Sequence, residues 1–201
     1  MSNQSETQQT KMVALAFIPL AIALNLGIGA LVKALNLPLY LDSVGTIIAT
    51  ILLGWKRGAI VGVVGFILTS IFFNPVAIYF IGTQIVIALF VNFVGKKGWF
   101  SNLLKTIISG VGLGIIAALV SAPVIIWVFG GATGNGSALV TSFFVKLGNQ
   151  IANSVLLSGI SIEPIDKGLQ CVLAFLVLKS VPKNLIEKFK GGSVLQNKFI
   201  D

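Results

Sequence analysis

The sequence contains no histidine and few charged residues. Charged side chains are 10% of its 201 residues, whereas soluble domains carry roughly 25%. Hydrophobic residues form 56% of the chain, and they recur in long runs without the alternation of strands. A soluble globular domain is therefore excluded. The composition indicates a helical protein of the lipid bilayer, in which each span needs about 20 apolar residues.

The scarcity of reactive residues limits the possible chemistry. With no His and a single Cys, Cys171, an internal disulfide is impossible and zinc or haem ligation is not expected. The chain has six acidic residues, and we expect no two of them within one span and none at mid-span. A phosphate-binding loop of the Gly-x-x-x-x-Gly-Lys-Ser/Thr type is also missing. We therefore expect neither an enzyme nor a bound cofactor.

The net charge is +8, but we do not expect a nucleic-acid partner. Lys56 and Arg57 lie between two apolar runs, and Lys96 and Lys97 lie between two others. Basic residues in such short connections orient a membrane protein, because Lys and Arg are enriched on the cytoplasmic side.

Seven apolar segments are candidates for membrane spans: 12–34, 40–54, 58–73, 75–95, 105–129, 138–160 and 164–181. Seven crossings would place the basic tail outside the cell. With six, eleven of the 14 Lys and Arg residues lie on the cytoplasmic side, as the positive-inside rule favours. We therefore predict an all-α membrane protein with six transmembrane helices, both termini cytoplasmic, in the plasma membrane. Its parts are a polar N-terminus (1–11), one membrane-embedded substrate-binding domain (12–181) and a basic tail (182–201).

Segment 138–160 is the one that we do not count as a span. Lys146, Asn149, Gln150 and Asn153 lie in its middle, and a Lys near the bilayer centre is costly unless it meets water or a partner. We predict helical pieces that fold over the outer face of the bundle or re-enter it. A seventh span is the alternative.

Polar residues on the outer side are the predicted substrate-binding residues: Tyr40, Asp42, Gln84, Asn92, Lys146, Asn149, Gln150 and Asn153. An apolar cavity with a few amides, an ammonium and aromatic walls is typical of a small-molecule site. Asn149 and Asn153 are four residues apart, so on a helix they share a face that Lys146 joins. The alternative is that these side chains cap helices or link neighbouring ones.

The acidic residues also have a structural interpretation. Asp42 precedes an apolar helix and is well placed to accept a backbone N–H as its N-cap. Glu163 and Asp166 lie beside Pro164, a combination that is typical of a helix start, so we predict that they begin the last helix.

Small residues recur at intervals of four, as in Gly110-x-x-x-Gly114 and Gly58-x-x-x-Gly62. Such spacings allow close helix contacts in membranes, so packing within the bundle is expected. For Ala23-x-x-x-Gly27 in the first segment we instead predict docking to another membrane protein.

Three stretches together resemble the substrate-binding S component of an energy-coupling factor vitamin transporter: LYLDSVGTIIATILLGWKRGAIVGVVG, FGGATGNGSALVTSF and IEPIDKGLQCVLAFLVLKSVPK. The resemblance covers nearly the whole chain. It implies a six-helix receptor that captures a vitamin outside and delivers it by reorienting in the membrane. It also implies two kinds of partner, a transmembrane coupling protein and two ATP-binding ATPase subunits. The docking signature of that family, Ala-x-x-x-Ala, is matched only loosely by Ala23 and Gly27.

The vitamin that we favour from the sequence is pantothenate, because its carboxylate, amide and hydroxyl groups suit scattered amides and one cation such as Lys146. Pyridoxine, hydroxymethylpyrimidine and cobalamin remain alternatives. Two other classes of protein are also open: a stand-alone channel or ion-coupled carrier, for which intramembrane acids or repeated halves are expected, and a structural membrane protein.

Overall fold

The chain folds into a bundle of α-helices, seen here in a computed structural model. The structure describes residues 2–134, 137–182 and 189, and within these ranges it contains no β-strand. The helices are α1 (Ser2–Ala34), α2 (Val44–Leu53), α3 (Trp55–Phe72), α4 (Ile81–Lys96), α5 (Leu103–Trp127), α6 (Ser137–Lys146) and α7 (Ile151–Ser180), and a 3₁₀ helix (Pro75–Phe80) leads directly into α4.

Helix α2 lies at the centre of the bundle. All ten of its residues are buried, and it contacts α1, α3, α4 and α7. Apart from Thr46 and Thr50, its sequence, VGTIIATILL, is apolar, as expected of a helix with neighbours on all sides. The helix ends at Gly54, whose φ of 86° lies in the left-handed region that favours glycine, and α3 follows at once.

The small residues of α5 bring it against α7. A side chain at Gly114 would collide with the backbone of Glu163 and Pro164, and one at Gly110 would lie 2.6 Å from Gly168 Cα. In α3, a side chain at Gly62 would lie 2.8 Å from Gln84 Cβ. These spacings are therefore used for packing within the bundle, which confirms the prediction for Gly110-x-x-x-Gly114 and Gly58-x-x-x-Gly62.

Apolar side chains cover the outside of the bundle, while polar ones lie within it. Leu20, Phe72 and Leu104 are each more than 60% exposed, whereas Gln84 and Gln170 are at most 1% exposed. Soluble proteins show the opposite trend. This distribution suggests a membrane protein.

Four helical segments are long and apolar enough to cross a membrane: Leu15–Ala34, Trp55–Phe72, Pro75–Lys96 and Leu103–Trp127. They agree with four of the predicted spans, 12–34, 58–73, 75–95 and 105–129. The predicted span 40–54 is shorter than expected, because only ten residues of it are helical. Six crossings are thus not established by helix length and composition.

The last helix differs most from its predicted bounds. It begins at Ile151, so Glu163, Pro164 and Asp166 lie near its midpoint, and the prediction that they begin a helix is wrong. Glu163 and Asp166 thus share one helix, which is not among the segments that are long and apolar enough to cross a membrane. In segment 138–160 the predicted helical pieces are present, as α6 and the first turns of α7. Of the predicted tail 182–201, only Pro182 and Phe189 are among the described residues.

Candidate ligand-binding site

A cavity of about 180 Å³ opens at one end of the bundle. Its rim comes from three connections: α1 to α2 (Asn36 and Leu37), α3 to α4 (Phe73 and Asn74) and α5 to α6 (Thr133 and Gly134). Its wall is mostly apolar, with four aromatic side chains: Tyr40, Phe66, Phe73 and Phe80. Polar and charged groups lie deeper: Asn25, Asp42, Gln84, Glu163 and Lys167. An apolar wall with a few convergent polar groups is typical of a small-molecule site.

Asp166 of α7 holds the connection between α1 and α2 in place. Its Oδ1 accepts hydrogen bonds from the backbone N–H groups of Tyr40 (2.8 Å) and Leu41 (2.9 Å). Its Oδ2 accepts from Lys167 Nζ (2.6 Å) and Gln170 Nε2 (2.7 Å). Leu41 has a φ of 47°, which is uncommon for a residue with a side chain. This turn directs two successive N–H groups at one carboxylate oxygen, so the strained backbone and Asp166 depend on each other.

A chain of hydrogen bonds continues from this turn into the bundle. Gln170 Oε1 accepts from the Ser43 N–H (2.9 Å), and Ser43 Oγ in turn accepts from Gln84 Nε2 (2.7 Å). Thr46 Oγ1 donates to Gln84 Oε1 (3.0 Å) and accepts from Asn25 Nδ2 (2.9 Å). The polar side chains at the base of the cavity thereby connect α1, α2, α4 and α7 through buried hydrogen bonds, which fix side-chain positions.

Lys167 lies among three carboxylates. Its Nζ is 2.6 Å from Asp166 Oδ2, 3.3 Å from Glu163 Oε2 and 3.9 Å from Asp42 Oδ1, and 5.5 Å from the centroid of the Tyr40 ring. Glu163 is 7% exposed and borders the cavity, yet its Oε2 accepts no hydrogen bond. Buried carboxylate oxygens normally have donors, so this atom stands out within the described part of the chain.

Burial alters the acid strength of the two groups in the α1–α2 connection. It raises the pKa of the Asp42 carboxyl above its ordinary value, while the Lys167 ammonium opposes the shift. Because the Asp42 side chain is 27% exposed, solvent in the cavity limits this effect. Burial also raises the pKa of the Tyr40 phenol, and the charge of Glu163 adds to that increase.

Three of the predicted substrate-binding residues line the cavity: Tyr40, Asp42 and Gln84. Tyr40 donates its hydroxyl to Ser137 Oγ (2.8 Å), which links the cavity wall to α6. The predicted N-cap role of Asp42 is wrong, because Ser43 is the residue that precedes α2. Asp42 Oδ1 instead accepts from the hydroxyl of Ser43 (2.9 Å).

The other five predicted residues lie away from the cavity: Asn92, Lys146, Asn149, Gln150 and Asn153. Lys146 ends α6, and α7 starts only at Ile151, so Asn149 and Asn153 do not lie on one helix and the predicted shared face is wrong. Asn149 donates its side chain to the carbonyl of Phe144 (3.1 Å), the capping arrangement considered as an alternative. Their predicted role in binding a substrate thus gains no support from their positions.

The sequence-based site missed the residues of α7, because Glu163, Asp166 and Lys167 were interpreted as a helix start. The spacing of four residues between Glu163 and Lys167, and between Asp166 and Gln170, was the available signal. It places all four on adjoining positions of one helix face if the helix continues through Pro164.

The predicted docking residues lie on the opposite side of α1 from the cavity wall. Ala23 and Gly27 are exposed, and no atom lies within 4 Å of a side chain placed at Gly27. By contrast Gly29, two residues further, faces Asp42 and lines the cavity. Docking of a partner at Ala23 and Gly27 stays a prediction.

Within the described residues, no group of three His, Cys, Asp or Glu side chains is arranged to hold a metal ion. Comparisons of the chain with protein-family models, with curated proteins and with solved structures found no match.

Proposed function

We propose that this chain is the substrate-binding subunit of an energy-coupling factor importer, which captures a small vitamin outside the cell and hands it to partner subunits that hydrolyse ATP. The observation that carries the proposal is the cavity at one end of the helical bundle, with an apolar and aromatic wall and a hydrogen-bonded polar base. It adds to the resemblance of the three sequence stretches, each of which contributes to this cavity, through Tyr40, Thr133 and Glu163 respectively.

The proposed topology has six crossings, by α1, α2, α3, the 3₁₀ helix with α4, α5 and α7. Helix α7 has 30 residues and a length of about 45 Å, which exceeds the roughly 30 Å of the hydrocarbon core. Three of its charged residues, Glu163, Asp166 and Lys167, are buried in the bundle and so need not face lipid, and the exposed Lys179 lies in its last turn. Helix α2 is only about 15 Å long, but its neighbours surround it and it crosses within protein. Helix α6 then lies on the outer side, beside the cavity.

In this orientation Lys56, Arg57, Lys96 and Lys97 face the cytoplasm, as Lys and Arg do in membrane proteins. The connections that form the rim of the cavity face outward. The cavity is then open to a substrate that arrives from outside, in the plasma membrane.

An ion-coupled carrier is the second candidate. Glu163, Asp166 and Lys167 lie near the middle of α7, and buried ionisable residues in membrane helices often mark ion or proton pathways. The two functions differ in what drives uptake: ATP hydrolysis by partner subunits, or an ion gradient across the membrane.

Equilibrium binding of radiolabelled vitamins to the purified chain tests the proposal. The panel contains pantothenate, pyridoxine, hydroxymethylpyrimidine and cobalamin, since Lys146, the cation that favoured pantothenate, lies outside the cavity. We expect tight binding of one vitamin without ATP, and uptake into vesicles only with the coupling protein and ATPases. Failure of every vitamin to bind contradicts the proposal. Uptake by the chain alone, abolished by an ionophore, would establish the carrier instead.

Two glycines of α1 provide a matched pair for this test. Gly29→Leu puts a side chain beside Asp42 in the cavity, so we expect it to abolish vitamin binding and leave assembly with the partners intact. Gly27→Leu adds the same side chain to the exposed face, so we expect normal vitamin binding and weakened assembly. If both variants lose vitamin binding, or both lose assembly with the partners, the separation of cavity and docking face is wrong.

A further inference from the structure

The charges around Lys167 do not balance. In the described part of the chain it is the only cation within 4.0 Å of Asp42, Glu163 or Asp166. With all four groups ionised, one ammonium faces three carboxylates, and the cluster carries a formal charge of −2. An uncompensated buried charge is costly. A further positive charge or a set of hydrogen-bond donors would therefore stabilise this cluster.

The three carboxylates differ in how their oxygens are used. Asp166 accepts four hydrogen bonds from the protein and is fully buried, so it has a structural role. Asp42 accepts one, from Ser43, and Glu163 Oε2 accepts none. Asp42 and Glu163 are also the two that line the cavity. The carboxylates that a ligand in the cavity could contact are therefore those of Asp42, whose side chain is 27% exposed, and Glu163.

The cavity has a second cation, Lys33, but it is not part of this cluster. Lys33 is exposed at the rim, and its Nζ donates to the carbonyl of Phe73 (2.7 Å). It thus places a positive charge at the entrance, whereas in the interior the two carboxylates of Asp42 and Glu163 outnumber the ammonium of Lys167. A ligand with a polar or anionic end toward solvent is compatible with that rim, while an anionic group at the base is not.

The size and wall of the cavity limit the ligand further. A volume of about 180 Å³ lies below the roughly 300–1,000 Å³ of drug-sized pockets, so the ligand is small. Aromatic rings of Tyr40, Phe66 and Phe80 contribute to the wall. Aromatic faces and carboxylates together are the usual surroundings of a bound organic cation, through cation–π and charge-assisted contacts.

We infer that the ligand is a small organic cation with N–H donors, such as an amidinium or a protonated aminoheteroaromatic ring, whose donors bind the carboxylates of Glu163 and Asp42 at the base of the cavity. This inference rests on the proposed function, because it names the substrate class of the same site. It replaces the anionic vitamin that the sequence favoured with a cationic one.

Three molecules of nearly equal shape test the charge requirement: benzamidinium (cation), benzamide (neutral) and benzoate (anion). Their binding to the full-length purified chain is measured by calorimetry at constant salt. We expect benzamidinium to bind about tenfold or more tightly than benzamide, as the loss of a charge-assisted hydrogen bond implies, and benzoate not to bind. Tighter binding of benzoate or benzamide, or no binding of benzamidinium, overturns the inference. The inference is also overturned if titration with sodium chloride alone gives the same binding signal as benzamidinium.

Variants locate the contact. Glu163→Gln keeps the size of the side chain and removes its charge, so we expect a loss of benzamidinium affinity of about tenfold. Asp42→Asn is the second variant if the first does not fold, and Lys56→Gln, which removes an exposed cation that does not line the cavity, is the control that leaves benzamidinium binding unchanged. Unchanged affinity in the Glu163 and Asp42 variants overturns the assignment. If an anionic vitamin binds while benzamidinium does not, only the substrate class fails. If no vitamin binds, the proposed function fails.

Discussion

Replacement of Asp166 by alanine removes the acceptor at which the α1–α2 connection, α7 and Lys167 meet. Four donors lose their partner: the N–H groups of Tyr40 and Leu41, Lys167 Nζ and Gln170 Nε2. The breaking of a buried ion pair by loss of one partner costs about 3–5 kcal/mol. At about 2–4 °C per kcal/mol for a chain of this size, the melting temperature should fall by roughly 6–20 °C.

The single cysteine provides the assay. Cys171 is fully buried, so a thiol-reactive fluorogenic dye reacts with it only when the protein unfolds in detergent, and no cysteine has to be introduced. Asp166→Asn is an informative second variant, because its amide oxygen can still accept from the Tyr40 and Leu41 N–H groups while its NH₂ faces two donors. We expect its melting temperature to lie between those of the wild type and Asp166→Ala. A melting temperature of Asp166→Ala within about 2 °C of the wild type, less than 1 kcal/mol, would refute the structural role of this carboxylate.

Three further predictions concern packing, orientation and pH. Gly114→Ala should destabilise the fold by about 1–3 kcal/mol, because its Cβ would meet the backbone of Pro164. Gly112→Ala should be tolerated, since its Cβ would lie 3.6 Å from Phe90 Cζ. Thermal unfolding of the two variants tests this difference. On whole cells, an impermeant maleimide should label Leu37→Cys and not Lys97→Cys, and the reverse pattern would invert the proposed topology. Lastly, burial raises the pKa of Asp42, which faces Lys167, Asp166 and Glu163, so protons should compete with benzamidinium for this carboxylate. The affinity for benzamidinium should therefore fall as the pH is lowered, and a pH-independent affinity in calorimetry would contradict this.

The helical class and four of the long segments could be predicted from the sequence, because apolar length and composition determine them locally. The orientation of side chains inside the bundle could not. Gln84 was predicted to bind a substrate, and the structure places it at the base of the cavity, but its partners Ser43 and Thr46 lie some 40 residues away along the chain. No local pattern reveals that these residues meet.

The last helix shows why a sound local rule can fail. Acidic residues beside a proline are typical of a helix start, since the proline N–H is not needed there and the acids interact favourably with the helix dipole. Here the tertiary contacts outweigh that preference. Asp166 and Lys167 compensate each other inside the bundle, and Gly114 of α5 leaves room for the backbone at Pro164. The cavity residues Glu163 and Lys167 were missed for the same reason.

Glu163 and Asp166 should respond in opposite ways to neutralisation, because only one of them has its hydrogen bonds within the protein. Glu163→Gln lowers the formal charge of the cluster from −2 to −1 and breaks no hydrogen bond accepted by Oε2. It removes the 3.3 Å ion pair with Lys167, which keeps its closer partner, Asp166 Oδ2, at 2.6 Å. Without ligand, we therefore expect its melting temperature to stay equal or rise by about 2–4 °C, the equivalent of about 1 kcal/mol, while Asp166→Asn melts lower. A residue that lowers stability in the free protein and is needed for binding is typical of a functional site. If Glu163→Gln is destabilised as strongly as Asp166→Asn, then Glu163 serves the fold, and the unused acceptor at the base of the cavity is not reserved for a ligand.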